Sequence, residues 1–460
     1  MNQSVPLRRQ RDYRLLWSAR AVSETGTEIS RLAVPLTAAA LLGATPLQMG
    51  LLTAATTLPY LLIGLPAGAY ADRLARRRPI LIACEVASAI AVLTVPLAWV
   101  TGLLTVPWLI AVAFTVGTCS VFYRAAWFPH LPSVVADHQR TAAITGFQTV
   151  YSAASVCGPG LAGVLVQTLT APFALVVDAL SFLMSAVCLR SIRSPEKPEP
   201  VDEILTESQR PALQSAGSQR PGSRNPTSQG PGSQGPGPRS SGSQSPESRP
   251  RRTSVLADIR EGLRAVVDHR VLRALITTGM VVNFASAAQM ALFILFAVNT
   301  LGLPAGVVGL LTASFGAGGL AGAAAAPRLT RRFTENRVIL GAVIVFPLEF
   351  VALASAHGSA SLLVPLLMGA YAISGLATVV FSVCYGSIQL RESPPDMLGR
   401  VNAVMTVATM GIMTLGGITG GLLGEVIGLR PALWTSAALV LPAILAVWLS
   451  PLRHPAPATA

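Results

Sequence analysis

Lysine is all but missing from this chain. Lys197 is the only one, so the formal net charge of +13 is carried almost wholly by arginine. With no lysine placed after a glycine-rich loop, the phosphate-binding pattern Gly-x-x-x-x-Gly-Lys cannot occur, and ATP hydrolysis through such a site is excluded. Charge of either sign is scarce: 12% of the 460 residues, where a soluble domain carries roughly 25%. Hydrophobic residues make up 52% and the mean hydropathy is +0.56, which together exclude an ordinary soluble globule. The five cysteines (Cys84, Cys119, Cys157, Cys188, Cys384) show neither disulfide nor zinc spacing and read as small hydrophobes buried in apolar runs. His130, His138, His269, His357 and His454 are scattered, with no metal spacing and no Ser-His-Asp or Cys-His order. No enzyme, metal or cofactor is expected, and with its arginines in short loops or one insert, no nucleic-acid partner either.

What the chain does have is long apolar runs. A membrane span needs about 20 mainly apolar residues. Six fit in the first half, near 15–43, 47–71, 79–100, 106–129, 142–168 and 172–190. Six more lie near 271–300, 305–327, 338–356, 361–390, 401–425 and 431–450. The expected fold is therefore an all-α polytopic membrane protein, with 12 transmembrane helices in two pseudo-symmetric six-helix halves, 15–190 and 271–450. Between them, residues 191–252 are rich in Ser, Pro, Gly, Gln and Arg, cannot bury enough apolar surface to order, and read as a disordered linker. Residues 253–270 alternate Val255, Ile259, Leu263 and Val266 with charges, as an amphipathic helix on the membrane surface does.

Arginine sets the sidedness. If residues 1–14 and the tail 451–460 are cytoplasmic, the short inner loops hold Arg73, Arg76, Arg77, Arg78, Arg140, Arg328, Arg331, Arg332, Arg337, Arg391 and Arg400. The outer loops hold only Arg430, the asymmetry expected of a multi-pass plasma-membrane protein with both termini inside.

The turn between the second and third runs reads Gly68-Ala-Tyr-Ala-Asp72-Arg73-Leu-Ala-Arg76-Arg77-Arg78. It resembles the Gly-x-x-x-Asp-Arg-x-Gly-Arg-Arg signature of the major facilitator superfamily, with Ala75 where glycine is usual. The resemblance implies that Gly68, Asp72, Arg73 and Arg76 latch one conformation across the inner face; four arginines that only fix topology would leave the same trace. The second half echoes it at Gly319–Arg332, keeping the basic cluster and losing the aspartate. Further stretches resemble the branch of the enterobactin exporter and the macrolide efflux pumps, a drug:proton antiporter branch. They include Trp17–Leu36, Phe122-Tyr123-Arg124, Val177-Asp178 through Phe182, and Gly399-Arg400-Val401-Asn402. Gly158-Pro159-Gly160-Leu-Ala-Gly163 in the fifth run is similar to an exporter motif; close helix packing is its plainer reading. The resemblance implies a secondary transporter exporting a small amphiphilic compound by alternating access, with protons and membrane lipid as its partners and the chain acting as a monomer. A siderophore exporter, an uptake carrier of the same fold, or a non-transporting receptor or scaffold are the alternatives.

Charges inside a span cost about 2.5–3.5 kcal/mol each near its centre, so each needs a reason. Arg20, Glu24, Glu28 and Arg31 follow one another at spacings of four, four and three, one stripe along the first helix. Such a stripe should face a wet interior, with Glu28, and Glu24 after it, carrying the coupling proton and Arg31 tuning it. A bare ion-pair stripe that positions the helix is the alternative, and relatives carry an acid one place earlier, where this chain has Thr27. Arg124 beside Tyr123 reads as a cavity arginine or as interfacial snorkelling. Asn283, Gln289, Thr378 and Tyr385 are candidate polar cavity contacts in the second half. Asp178 and Glu349 read as interhelical hydrogen-bonding groups, and Glu85 as an answer to the arginines at 73–78.

Overall fold

The structure, a computed structural model, describes residues 6–72, 76–194, 255–394, 397–442 and 444–445. Among these every regular element is a helix. The first half holds α1 (Arg11–Leu36), α2 (Pro46–Asp72), α3 (Arg78–Val100), α4 (Val106–His130), α5 (Arg140–Leu169) and α6 (Ala171–Arg190). After the short helix α7 (Val255–Asp268) come α8 (Arg270–Leu295), α9 (Ala305–Arg332), α10 (Glu335–Val345), α11 (Leu348–Ala354), α12 (Ala360–Glu392), α13 (Leu398–Ile427) and α14 (Leu429–Ala438). Most of the expected linker, 195–252, and the tail lie outside the described residues.

Among the described residues ten helices are long and apolar enough to cross a membrane, counting α10 and α11 as one. The first helix is long enough but carries its charged stripe, and α14 is followed as regular helix only to Ala438. The ninth run, expected as one span, is two pieces. Pro347 separates them, because proline has no amide to continue the hydrogen-bond ladder. The helix expected at 253–270 is present as α7, and its Val266 is buried against the second half.

The two halves repeat each other closely. Both α1 and α8 end in a π-turn, Thr37–Leu41 and Phe296–Thr300. Each is followed by a glycine with positive φ, Gly43 at 60° and Gly302 at 63°. The next turns match as Gly102 and Gly358, and the third pair is Thr170 (φ 70°, ψ 157°) and Gly428 (φ 89°, ψ 161°). All six turns lie at one end of the helices. The opposite end carries Arg76–Arg78, Arg140, Arg190, Arg331, Arg332 and Arg400, so the arginine asymmetry expected from the sequence is one of real positions.

At the glycine-turn end the halves share a single core, in which Leu32, Leu36 and Ala38 pack with Phe293, Leu295 and Phe296. At the arginine-rich end each half has its own: one around Tyr13, Leu16, Trp127 and Phe147, another around Leu272, Leu275, Ile339 and Ile388. The seam between the halves is built from small residues on α5 against α9 and α2 against α13. A methyl on Gly50 would stand 2.5 Å from the Gly417 carbonyl oxygen, and one on Gly309 would stand 2.6 Å from that of Pro159. Helices in lipid gain little from apolar burial against one another, so close approach of this kind supplies dispersion contacts instead. Leu47 N–H donates to Glu425 Oε2 at 3.2 Å and the Thr57 and Thr414 hydroxyls meet at 2.9 Å across the same seam.

Candidate functional site

In the first half, toward the arginine-rich end, the helices part around a cavity of about 510 Å³. Every residue lining it belongs to α1–α6 or to the turn after α4. From α1 come Arg20, Ser23, Glu24, Thr27 and Arg31, successive turns of the charged stripe. The spacing does what a 3.6-residue period requires, putting these side chains on one face while Ile29, Leu32 and Ala33 are buried in the shared core. Opposite stand Tyr123, Arg124 and Trp127 of α4, with Phe147, Gln148 and Tyr151 of α5.

The stripe is internally paired. Arg20 forms an ion pair with Glu24, and Arg31 Nη1 donates to Glu28 Oε1 at 2.6 Å. The Arg20 guanidinium also stands 5.7 Å from the ring centre of Tyr123 and 5.4 Å from that of Trp127, in cation–π range of both. Tyr123 and Trp127 stack with centres 5.8 Å apart, and Trp127 meets Phe147 edge-on at 5.1 Å. Glu24 and Glu28 are 8% and 6% exposed, so neither carboxylate is free in water. Arg124 is exposed in the cavity, and among the described residues no ion pair is formed by it. The cavity therefore offers flat aromatic faces, a paired acidic and basic stripe, and one guanidinium available to a guest.

The sequence reading missed much of the wall, Phe147, Gln148 and Tyr151 of α5 included, and it misplaced Glu85. Glu85 is only 3% exposed, yet it lines the cavity and accepts from Ser23 Oγ at 3.3 Å and Ser185 Oγ at 2.8 Å. Its distance from the turn held the signal: seven residues beyond Arg78 is about 10 Å along a helix, too deep for a surface charge. Asp178 is buried and accepts from Ser30 of α1 and, at 3.1 Å, from Ser181 of its own helix.

The span-5 motif meets two surfaces. Gly158 lies against the Cβ of Glu28, so any side chain there would displace that glutamate. One turn on, Pro159 and Gly163 lie on the seam against Gly306 and Gly309, and Gly160 faces Ala313. A rigid contact thus links the charged stripe to the joint between the halves.

The remaining expected residues lie elsewhere. Gly68 and Asp72 are on the last two turns of α2, Arg73 is outside the described residues, and Arg76 is exposed in the turn before α3. Arg78 donates to the carbonyl oxygens of Ile192 (2.7 Å) and Ser194 (2.5 Å), which tie the chain after α6 to the signature turn. Asn283 and Thr378 bond their own helices, to Gly279 and Ser374 carbonyls at 2.7 and 2.8 Å. Gln289 is buried and Tyr385 packs on Gly279; neither lines the first-half cavity. Among the cysteines, Cys84 and Cys119 line the cavity and Cys157, expected to be buried, is exposed on α5. The apolar run around Cys157 gave no sign of which face it occupies, since a lipid-facing helix side is as apolar as a core.

Comparison with known proteins agrees with this architecture. Residues 16–410 and 275–460 match the family model described as Major Facilitator Superfamily. An uncharacterised MFS-type transporter of Bacillus subtilis (strain 168), YfiS, is 24% identical over 442 residues, covering 94% of this chain and 92% of its own. The multidrug efflux pump Tap of Mycolicibacterium fortuitum is 25% identical over 421 residues, 89% and 88% of the two chains. A chloramphenicol resistance protein of Streptomyces lividans is 31% identical over 150 residues, 32% of this chain and 37% of that one. The nucleoside transporter NupG superposes with a TM-score of 0.68 at 11% identity, over 96% and 98% of the chains. An inward-facing bacterial homologue of the iron transporter ferroportin superposes at 0.67 with 17% identity, over 96% and 99%.

Proposed function

This chain belongs to the Major Facilitator Superfamily, and we propose that it exports a small amphiphilic compound, such as an antibiotic or other secondary metabolite, in exchange for protons. It is a multi-pass membrane transporter and not an enzyme. The observation that carries the finer reading is the cavity. Aromatic faces suit the flat apolar part of a guest, and Arg124 suits its polar end. The multidrug efflux named for the relative Tap and the chloramphenicol resistance named for another relative favour export over uptake.

With the arginine-rich end in the cytoplasm, as the positive-inside rule directs, the shared core closes the outer side and the cavity lies on the inner side. Substrate enters from the cytoplasm or inner leaflet, and the halves then rock about the glycine seam to expose it outside, as alternating access requires. Asp72, Arg73 and Arg76 would latch the inner ends together in the outward-open state. In this scheme a proton arriving from outside on Glu28 releases Arg31, and the freed guanidinium changes the charge the guest meets. Glu24 and Arg20 form a second such couple deeper in the aromatic wall. Glu28 also touches Gly158, next to the seam, so a change in its charge has a short path to the joint.

The test uses everted membrane vesicles and a panel of fluorescent amphiphiles. Wild-type protein should accumulate at least one compound when the lumen is acid, and the Glu28→Gln variant should lose that dependence on the gradient. Unchanged coupling in the variant would contradict the assignment.

A further inference from the structure

The second half holds a buried polar group that the cavity does not use. Glu349 sits on α11, just past the Pro347 break, and is 8% exposed between Phe350 and the wall of α12. Ser374 (0% exposed) and Tyr371 (5%) of α12 stand beside it, and Gln289 of α8 (4%) stands against Tyr371. Ser374 spends its hydroxyl proton on the Phe346 carbonyl at 2.8 Å, in the gap left by the proline. Glu349 Oε2, Gln289 Oε1 and the Tyr371 hydroxyl are all buried without a well-formed hydrogen bond, although Ser374 stands close to the carboxyl and Gln289 close to Tyr371.

A carboxylate at membrane depth with no cation to offset it is among the costliest groups a protein can hold, and two poorly bonded polar atoms nearby, Gln289 Oε1 and the Tyr371 hydroxyl, compound the cost. Among the described residues no cation offsets it. Tyr371 and Ser374 face it from α12, with Gln289 of α8 behind Tyr371. The third packed element, α14, offers the Ser436 hydroxyl, bound to Ala432 of its own helix at 2.9 Å, and Arg430 at its first turn. Arg430 is tied to His357 and, at 2.9 Å, to the Ala356 carbonyl. A proton is the smallest occupant that cures the arrangement: it neutralises Glu349 and turns Oε2 into a donor toward an idle acceptor, Gln289 Oε1 or the Tyr371 oxygen. A hard metal cation would need a shell of oxygen ligands, and only one of the four groups here carries charge.

We propose that Glu349, with Gln289, Tyr371 and Ser374, is a second proton-binding site, lying in the C-terminal half outside the cavity and exchanging one proton as the halves rock. It goes beyond the cavity reading and does not depend on which compound is carried. Its position explains the exchange: α8 runs into the π-turn that packs on α1, so movement at the shared core moves Gln289 relative to Glu349.

The experiment is infrared difference spectroscopy on the full chain reconstituted in lipid, titrated with pH. A protonated-carboxyl band should be present, titrate, vanish in Glu349→Gln and persist in Glu28→Gln. Tyr371→Phe and Gln289→Leu, which keep the carboxyl and remove its partners, should shift the band. Proton uptake after a pH jump should fall by one proton per chain in Glu349→Gln. An unchanged band in Glu349→Gln, or a band that ignores both pH and the partner variants, overturns the proposal. So does a signal that responds to sodium at fixed pH. Because the band is read without substrate, loss of transport in wild-type vesicles would fault the exporter reading alone.

Discussion

The two halves are built to one plan and furnished differently. Their turns match pair by pair, down to the π-turns that close α1 and α8. Yet the first half opens around a charged, aromatic cavity, while in the second α9 and α12 pack backbone against backbone. Gly318 and Gly375 bring α9 and α12 into direct backbone contact, at the Ala372 and Phe315 carbonyls. The corresponding helices of the first half, α2 and α4, approach at Gly117, where a methyl would stand 2.9 Å from the Thr56 carbonyl, 3.2 Å from Pro59 and 3.4 Å from the Ala55 carbonyl. A shared backbone therefore serves one half as a binding wall and the other as a rigid body to rock against. Each half also keeps a buried acid on its third span, Glu85 with two serine donors and Glu349 with idle neighbours.

The sharpest way to break this comparison is through the glycines. Gly318→Leu should prevent the second half from packing, abolishing folded protein by size-exclusion chromatography. Gly50→Leu, on the seam, should leave more folded chain but reduce vesicle transport to background, because the glycine-turn end can no longer close. Equal folding and transport in both variants would deny the distinction between seam and rigid body. A smaller effect separates the furnishings: Arg124→Ala should weaken apparent substrate affinity by about tenfold, ~1.4 kcal/mol, and Tyr385→Phe in the second half should change it little. Dye-transport saturation curves decide this.

Smaller again is the one turn where the halves differ in residue type. Thr170 adopts a backbone region that is almost glycine-only and costs of order 1–3 kcal/mol, while Gly428 occupies its counterpart freely. Thr170→Gly should raise the thermal midpoint of the purified protein, and Gly428→Thr should lower it. The least effect is expected at Asp12. Partial burial pushes its carboxyl up, but bonds from the Ser194 hydroxyl (2.5 Å) and amide (2.7 Å) and the Arg193 amide (3.2 Å) outweigh that and hold it below the usual carboxylate range. A carboxyl lowered in the folded state stabilises above its unfolded value and loses that contribution as pH falls through the folded one. Asp12→Asn should therefore narrow the gap in thermal midpoint between neutral and acid pH, slightly.

Much of this was legible in the sequence, because bilayer thickness and arginine placement are strong constraints on a chain. The spans and the paired halves follow from run length and loop charge, and helical period turns Arg20, Glu24 and Arg31 to the cavity, whereas Glu28, expected there, lies against Gly158 and is not in the cavity wall. The packing was not legible. Gly158 and Gly309 look alike as letters, and only three-dimensional contact gives one to Glu28 and the other to the seam. Glu85 was misread because depth along a helix was weighed less than nearness in sequence to arginine. Pro347 could have been read as the end of a helix; that Ser374 fills the resulting gap depends on a residue far along the chain.

Distances between paired spin labels in reconstituted protein, its cysteines replaced, test the central claim most directly. One pair joins Ala136 to Thr334 at the arginine-rich end, the other Thr101 to Ser359 at the glycine-turn end. Adding a transported compound with an acid outer face should shorten the first distance and lengthen the second. If both stay fixed, or change in the same sense, the halves do not rock about the glycine seam and the account fails.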